Sequence, residues 1–268
     1  MSGKVEVKYK AKNGVELTYM EDPYPVQNYI GQQRLLVIFQ SLGDEKSDDL
    51  KTRYPYTLID GLKFFNCRKL YIKDDHGLVG DYYLGLNGKL DTKDAVLEFL
   101  KKKIVEYGIL RENIVTFGFS KGGYAALMFG FELGAANIIT AVPQFNLWSW
   151  ISKYKPFLEY ILPEKSSQKD KESYENYLKS VIETSINKPN VYVVTSHNDN
   201  TYNDHIPQLI ETLEVKGIEP KIFHNDEYAV TRHNNVVVNS MNEILAILSM
   251  VLSDKDIRNL FNYNVKKL

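Results

Sequence analysis

The chain has 268 residues, 44% of them hydrophobic, and its 33 basic and 34 acidic side chains give a formal net charge of −1. This length and composition can bury a substantial core, and we expect one α/β domain over residues 1–268. Because the two signs of charge are mixed along the sequence, there is no basic stripe of the kind that nucleic acid selects. Nucleic-acid binding is therefore not expected.

The single cysteine, Cys67, excludes an intrachain disulfide and favours a reducing compartment. The first residues lack the apolar core of a signal peptide, and no stretch approaches the ~18 uninterrupted apolar residues of a membrane span. We expect a cytoplasmic protein with no integral membrane segment.

Strands and helices alternate along most of the chain. Asn13-Gly14 is a hairpin signal between two short strands, and Leu35–Phe39 is apolar throughout, as in a buried parallel strand. Further strands are predicted at 70–72, 114–117, 138–142, 191–195 and 221–223, and helices at about 91–108, 121–134, 206–215 and 236–252. This alternation predicts a doubly wound, mostly parallel sheet.

The most informative stretch is residues 114–126, which read IVTFGFSKGGYAA. A β-branched run ends in Gly118-Phe119-Ser120-Lys121-Gly122 and is followed by a small-residue helix, which is the G-x-S-x-G nucleophile elbow of α/β-hydrolases in its usual context. The sharp turn holds the serine hydroxyl away from the backbone, and the flanking glycines remove side chains that would collide. We predict Ser120 as the nucleophile; a structural turn serine is the alternative.

A nucleophilic serine needs a base and an acid, which in this fold follow later strands in the order serine, acid, histidine. We favour Asp199 as the acid and His233 as the base, since each stands in a polar loop beyond the element that carries it to the carboxyl edge of the sheet. Asp204 is the alternative acid, although helix capping also explains it, and His224 is the rival base.

An oxyanion is expected to be stabilised by two backbone N–H groups. One belongs to Lys121, at the first turn of the helix, where the helix dipole assists. The second lies just after the strand Leu35–Phe39, and we choose Ser41, with Gln40 next. The Lys121 side chain is expected to be solvated.

Two segments are candidates for contacting a substrate. Residues 144–188 interrupt the strand–helix alternation where a helical cap is expected, and they contain the aromatic residues Phe145, Trp148, Trp150, Tyr154, Phe157, Tyr160 and Tyr174. The loop 81–88 is expected at the same edge of the sheet. We choose Trp148 and Tyr83 as substrate-binding residues; packing of the cap and an ordinary turn are the alternatives.

Metal dependence is not favoured. His197, Asp199, His205, His224, Asp226 and His233 could supply ligands. No H-E-x-x-H or comparable spacing occurs among them, and a metal would leave the serine elbow without a purpose. We expect no metal and no other cofactor.

With the elbow, the Tyr82–Gly88 loop, Ala141-Val142-Pro143-Gln144-Phe145 and His233-Asn234-Asn235 in view, the chain resembles α/β-hydrolase-fold proteins of bacterial surface-glycan systems. It looks like the XcbB/CpsF-type capsular polysaccharide biosynthesis proteins and, more distantly, the acetyltransferase-like accessory proteins of the accessory Sec secretion system. The resemblance covers about residues 35–252.

The accessory Sec resemblance implies a triad that handles acetyl groups on protein-linked sugars. Ser120 and His233 match its serine and histidine, whereas Asp199 or Asp204 stands where that group places a glutamate.

The predicted function is a serine-dependent acyl esterase or acyltransferase acting on a carbohydrate or small ester, with acetyl as the expected acyl group. The alternative is a catalytically silent hydrolase fold that binds or assembles within a surface-glycan or secretion machine. In either case the expected partners are a small-molecule or glycan ester and glycan or secretion machinery.

Overall fold

The computed structural model describes residues 5–24, 33–154, 160–162 and 166–253. Eight strands form one sheet in the order β1-β2-β4-β3-β5-β6-β7-β8. The strands are β1 Glu6–Lys10, β2 Glu16–Asp22, β3 Leu35–Phe39, β4 Arg68–Ile72, β5 Ile114–Phe119, β6 Asn137–Ala141, β7 Asn190–Thr195 and β8 Lys221–His224.

The sheet is antiparallel at one edge and parallel through the rest. β1 and β2 form the hairpin predicted at Asn13-Gly14, and β2 pairs antiparallel with β4. All the other pairings are parallel, from β4–β3 to β7–β8. The carboxyl ends of β3, β5, β6, β7 and β8 therefore lie along one edge of the sheet, where the loops that follow them can meet.

The helices connect these strands. They are α1 Leu50–Arg53, α2 Asp91–Tyr107, α3 Lys121–Leu133, α4 Leu147–Ile151, α5 Gln168–Glu175, α6 Tyr177–Thr184, α7 Tyr202–Val215, α8 His233–Asn239 and α9 Met241–Leu252. The helices α4, α5 and α6 lie in the expected cap segment, whose Phe157 is outside the described residues.

Two helices differ from the sequence prediction. The helix α7 begins at Tyr202, four residues earlier than expected. The last helix, predicted as one element, is divided at Ser240 into α8 and α9, which are bent by 60°. Within the described part of the chain no single helix is long and apolar enough to cross a membrane, and only this bent pair passes that test of length and composition together.

Successive side chains of a strand point to opposite faces, so each strand contributes to two cores. Leu35, Val37 and Phe39 pack on the face covered by α2, α3, α6 and α7. Leu36 and Ile38 pack on the opposite face, which α9 covers. Burial on both faces explains why β3 is apolar at every position. The structure confirms the predicted α/β-hydrolase-like, doubly wound and mostly parallel sheet.

Candidate active site

Ser120 lies at the tight turn between β5 and α3, with φ 48° and ψ −116°. A positive φ is strained for a residue with a side chain, and here it turns the hydroxyl out of the sheet. The glycines on either side have the steric role expected of them. A Cβ on Gly122 would lie 2.5 Å from the carbonyl oxygen of Phe39, and a Cβ on Gly118 would overlap the carbonyl of Gly122.

Three side chains from three loops meet at this turn. His233 Nε2 lies 3.0 Å from Ser120 Oγ, and His233 Nδ1 lies 2.9 Å from Asp199 Oδ2. An ionised carboxylate only accepts hydrogen bonds, so Nδ1 carries the proton and Nε2 presents its lone pair to the serine. This is the arrangement in which a histidine can accept the serine proton.

The Asp199 carboxylate is buried and held in place by its own loop. Thr201 donates its backbone N–H and its hydroxyl to Asp199 Oδ1, at 2.8 and 2.9 Å. Burial by itself raises the pKa of Asp199, but the hydrogen bond and charge of His233, with the Thr201 hydrogen bonds, outweigh it and lower that pKa below its ordinary value. Asp199 is therefore ionised near neutral pH and fixed toward His233.

The alternative acid and the rival base are both elsewhere. Asp204 is half exposed in the first turn of α7, and its carboxylate lies 3.4 Å from Lys153 Nζ. His224 stacks on His197, with ring centroids 4.2 Å apart. The geometry thus places Asp199, and not Asp204, against His233. It places His233, and not His224, against Ser120.

Ser120 and His233 open into a cleft of about 430 Å³, here called the Ser120 cleft. Its walls combine the β3 loop, the cap and the first turns of α8. The lining residues are Ser41, Leu42, Gly43, Phe119, Ser120, Val142, Trp150, Tyr154, His233, Asn234, Val237 and Val238. A mainly apolar cleft with few polar groups is typical of a small-molecule site.

The two predicted substrate-binding residues are not in this lining. Tyr83 has no exposed surface; its hydroxyl accepts the N–H of Gln40 at 2.6 Å and donates to the carbonyl of Ile72 at 2.9 Å. Trp148 and Trp150 both pack against the core, but Trp148 does not line the cleft. Residues two apart on a helix point about 200° from each other, so Trp150, not Trp148, faces the cleft.

The two predicted oxyanion donors have different environments. Lys121 is the first residue of α3, so its N–H has no acceptor in its own helix. Ser41 lines the cleft, but its N–H donates to Thr57 Oγ1 at 3.2 Å. The N–H of Gln40, the other residue considered, is bonded to Tyr83. Ser41 can therefore serve an oxyanion only by leaving Thr57, and Leu42 is the next backbone donor along the same wall.

The Lys121 side chain is fully buried, contrary to the expectation of a solvated lysine. Its Nζ lies 2.8 Å from Asp74 Oδ2 and donates to the carbonyl of Val79 at 3.2 Å. Burial raises the pKa of neighbouring Asp81 well above its ordinary value, and the Asp74 charge adds to this. Because its Nζ is paired with Asp74, the Lys121 side chain neutralises that carboxylate and is not available to attract a substrate.

Two groups of described side chains bring three potential metal ligands within 4.8 Å of one another. His197, His224 and Asp226 form one of them, at the surface. Asp74, His76 and Asp81 form the other, where Lys121 Nζ already neutralises Asp74. Neither group includes a member of the Ser120–His233–Asp199 arrangement.

Gln144 belongs to the Ala141–Phe145 stretch that contributes to the resemblance, but it was not predicted as a site residue. It follows β6 in a buried turn, and its side-chain Nε2 lies 2.6 Å from Ser120 Oγ and 3.2 Å from His233 Nε2. Trp150 and Tyr154 are two of the aromatic residues in the predicted cap, and both line the cleft. Contacts of this kind depend on how separate loops meet, and no spacing in the sequence records them.

The fold is that of the α/β-hydrolases, and Ser120, His233 and Asp199 form one hydrogen-bonded series within it. No family model matches the chain, and no curated protein matches its sequence. Solved structures of the same fold do match, at low sequence identity.

The capsule O-acetyltransferase of Neisseria meningitidis serogroup A is similar over 94% of this chain and 96% of that chain, with a TM-score of 0.72 and 19% identity. The Glycosylation Associate Protein (Gap123) complex from Streptococcus agalactiae has a TM-score of 0.74 and 18% identity, covering 94% of this chain and 48% of that chain. FphF, a fluorophosphonate-binding serine hydrolase of Staphylococcus aureus, has a TM-score of 0.63 and 15% identity, over 91% and 98%. These similarities establish the shared fold.

Proposed function

We propose that this protein is a serine-dependent acyl esterase or acyltransferase, for acetyl or a similarly small acyl group, acting on a carbohydrate or other small ester. The observation that carries the proposal is the hydrogen-bonded series from Asp199 through His233 to Ser120, in the wall of the Ser120 cleft. A buried acid, an oriented imidazole and a serine at a strained turn are together what activates a serine hydroxyl.

In the first half-reaction Ser120 Oγ attacks the acyl carbonyl carbon while its proton passes to His233 Nε2. The carbonyl oxygen becomes an oxyanion. In this proposal it is stabilised by the N–H of Lys121 and by a second N–H from the β3 loop, either that of Leu42 or that of Ser41 once it has left Thr57. As this intermediate collapses, the bond to the leaving group breaks and His233 returns the proton to it. The acyl group is then an ester of Ser120.

In the second half-reaction an oxygen nucleophile gives its proton to His233 and attacks the acyl-enzyme. Water yields hydrolysis, and a sugar hydroxyl yields transfer. Ser120 Oγ leaves and recovers its proton from His233. The balance between the two outcomes depends on how well the occupied cleft excludes water.

The choice of a small acyl group on a carbohydrate has two supports. The cleft is small and has aromatic residues, Trp150 and Tyr154, which can lie against the apolar face of a sugar ring. The similar structure from Neisseria is described as a capsule O-acetyltransferase, and one structure of that enzyme contains CoA. We therefore propose capsule-type glycans as the first acceptors to test and acetyl-CoA as the first donor.

The test is fluorophosphonate labelling of the purified protein, with hydrolysis of p-nitrophenyl acetate measured on the same samples. We expect the wild type to label and turn over, and Ser120→Ala to lose both, with a fall of about 10⁴-fold or more in turnover. Absence of labelling in a well-folded wild type would contradict the proposal.

One finding favours a second candidate, an assembly component without catalysis. The fold also matches 48% of a chain in the Glycosylation Associate Protein (Gap123) complex. For that role Ser120 would be dispensable, so Ser120→Ala would retain full binding to a glycosylation partner while the wild type showed no labelling.

A further inference from the structure

A fully buried glutamine side chain contacts the nucleophile from outside the lining of the Ser120 cleft. Gln144 has no exposed surface and is not part of the cleft lining. Its Nε2 lies 2.6 Å from Ser120 Oγ and 3.2 Å from His233 Nε2, so one amide group touches both reacting atoms.

The orientation of this amide follows from its neighbours. Because His233 gives its Nδ1 proton to Asp199, the Nε2 atom carries a lone pair, and only a donor fits beside it. The amide nitrogen is a donor and the amide oxygen is not. Gln144 therefore presents its NH₂ group to Ser120 and His233.

In this orientation the carbonyl oxygen at the other end of the amide has no hydrogen-bond donor among the described residues. Gln144 Oε1 is buried and accepts no hydrogen bond from any residue that the structure describes. A buried carbonyl oxygen without a donor is unfavourable and uncommon in native proteins. Local packing thus does not account for a glutamine here, since an apolar side chain of the same length would fill the space without an unpaired atom.

We infer that Gln144 is a positioning residue for the nucleophile. Its amide N–H occupies a lone pair of Ser120 Oγ, which leaves the hydroxyl proton directed at His233 Nε2, and it holds the serine in the rotamer that attacks. The role rests on the proposed serine chemistry and adds a residue to it. The bond made and the bond broken are unchanged: Oγ–H gives its proton to Nε2 as Oγ bonds to the acyl carbon.

Two variants distinguish hydrogen-bond donation by the Gln144 amide from simple packing of the side chain. Gln144→Glu keeps the shape of the side chain, but a carboxylate accepts hydrogen bonds and does not donate them. Gln144→Met keeps the length and removes both polar atoms. Asn146→Ala is the matched control, because Asn146 lies in the same turn and bonds to the Asp204 carbonyl and to Gln208, away from Ser120.

The measurement is the second-order rate constant of labelling by a fluorophosphonate across pH 5 to 9, with the thermal unfolding midpoint of each variant. We expect labelling of Gln144→Glu and Gln144→Met to be slower by about tenfold or more at neutral pH, because the hydroxyl is no longer oriented. The dependence of the labelling rate on pH should also change in Gln144→Glu, because this variant places a titratable carboxyl group beside Ser120 Oγ, and it should not change in Asn146→Ala.

Each outcome has a distinct meaning. Slow labelling of both variants, a changed pH profile in Gln144→Glu and wild-type labelling of Asn146→Ala together support the positioning role. Wild-type rates and profile in Gln144→Glu would overturn it, as would an equal loss in Asn146→Ala, which would assign the effect to the turn. If the wild type itself does not label at Ser120, the proposed function fails first, and this inference fails with it.

Discussion

Two histidine–aspartate pairs in this protein have nearly the same hydrogen bond in opposite surroundings. His233 lies 2.9 Å from Asp199, and His197 lies 2.7 Å from Asp226. The side chains of the first pair are 14% and 1% exposed, and those of the second are 55% and 45% exposed. A hydrogen-bonded histidine–aspartate pair is therefore not sufficient by itself to define an active site.

The difference lies in what each histidine faces on its other side. His233 Nε2 lies 3.0 Å from Ser120 Oγ, beside the Ser120 cleft. His197 stacks on His224, with planes 7° apart, and lies at the surface. In water a histidine–carboxylate pair is screened and weakly coupled, whereas a buried pair fixes one tautomer and one direction for the proton.

The largest expected effect comes from removing each histidine in turn. We expect His233→Ala to lower p-nitrophenyl acetate turnover by about 10⁴-fold or more, because the serine loses its proton acceptor. His197→Ala, the matched control, should retain turnover within about twofold, since most surface substitutions are nearly neutral. Comparable losses in both variants would refute the separation of the two pairs.

The ion pair between Lys121 and Asp74, unlike the surface pair, is fully buried. Lys121→Met leaves Asp74 as an uncompensated buried charge, and breaking such a pair costs about 3–5 kcal/mol of unfolding free energy. The double variant Lys121→Met, Asp74→Leu should recover much of that loss, because neither charge remains. Denaturant unfolding of the single and double variants measures both values, and an unaltered midpoint in Lys121→Met would contradict the buried pair.

A fourth histidine, His205, tests how burial affects folding stability when no carboxylate of the described residues is hydrogen-bonded to the ring. His205 is buried beside Trp150, and burial lowers its pKa to about 4. Between pH 6.5 and 4 the unfolded chain binds a proton here and the folded chain does not, so folding stability falls as the pH falls through this window. The expected loss from this group is about 3 kcal/mol.

The substitution His205→Asn removes the titrating group and keeps an acceptor near the N–H of Asn146, to which His205 Nδ1 is bonded. We expect the unfolding free energy of this variant to depend less on pH between 6.5 and 4 than that of the wild type. Identical pH dependence in both proteins would show that His205 does not supply this term.

Several elements could be predicted because their signals are local. The apolar β3, the hairpin at Asn13-Gly14 and the elbow around Ser120 each follow from a few adjacent residues, since side-chain size and backbone freedom act within one turn or strand. The prediction that α8 and α9 form one helix was wrong at Ser240, because apolar periodicity continues across the break and only the packing of the two helices reveals the bend.

The predictions of substrate-binding residues, by contrast, depended on contacts that are not local. Tyr83 and Trp148 are in the expected loop and cap, yet Tyr83 is buried under β3 and Trp148 faces the core. In the sequence, a tyrosine or tryptophan that packs inward cannot be distinguished from one that lines a cleft. Which one occurs depends on the angle at which its segment docks, and that angle is set by residues far away in the sequence.

By itself the sequence determined the sheet class, the elbow at Ser120 and the polar loops holding Asp199 and His233, because these depend on periodicity, small residues and chain order. Tertiary structure alone decided that Asp199 rather than Asp204 meets His233, that Lys121 turns inward to Asp74 and that Gln144 touches the nucleophile. These are contacts between loops brought to one edge of the sheet, and their energies depend on distance and burial, which no local pattern encodes.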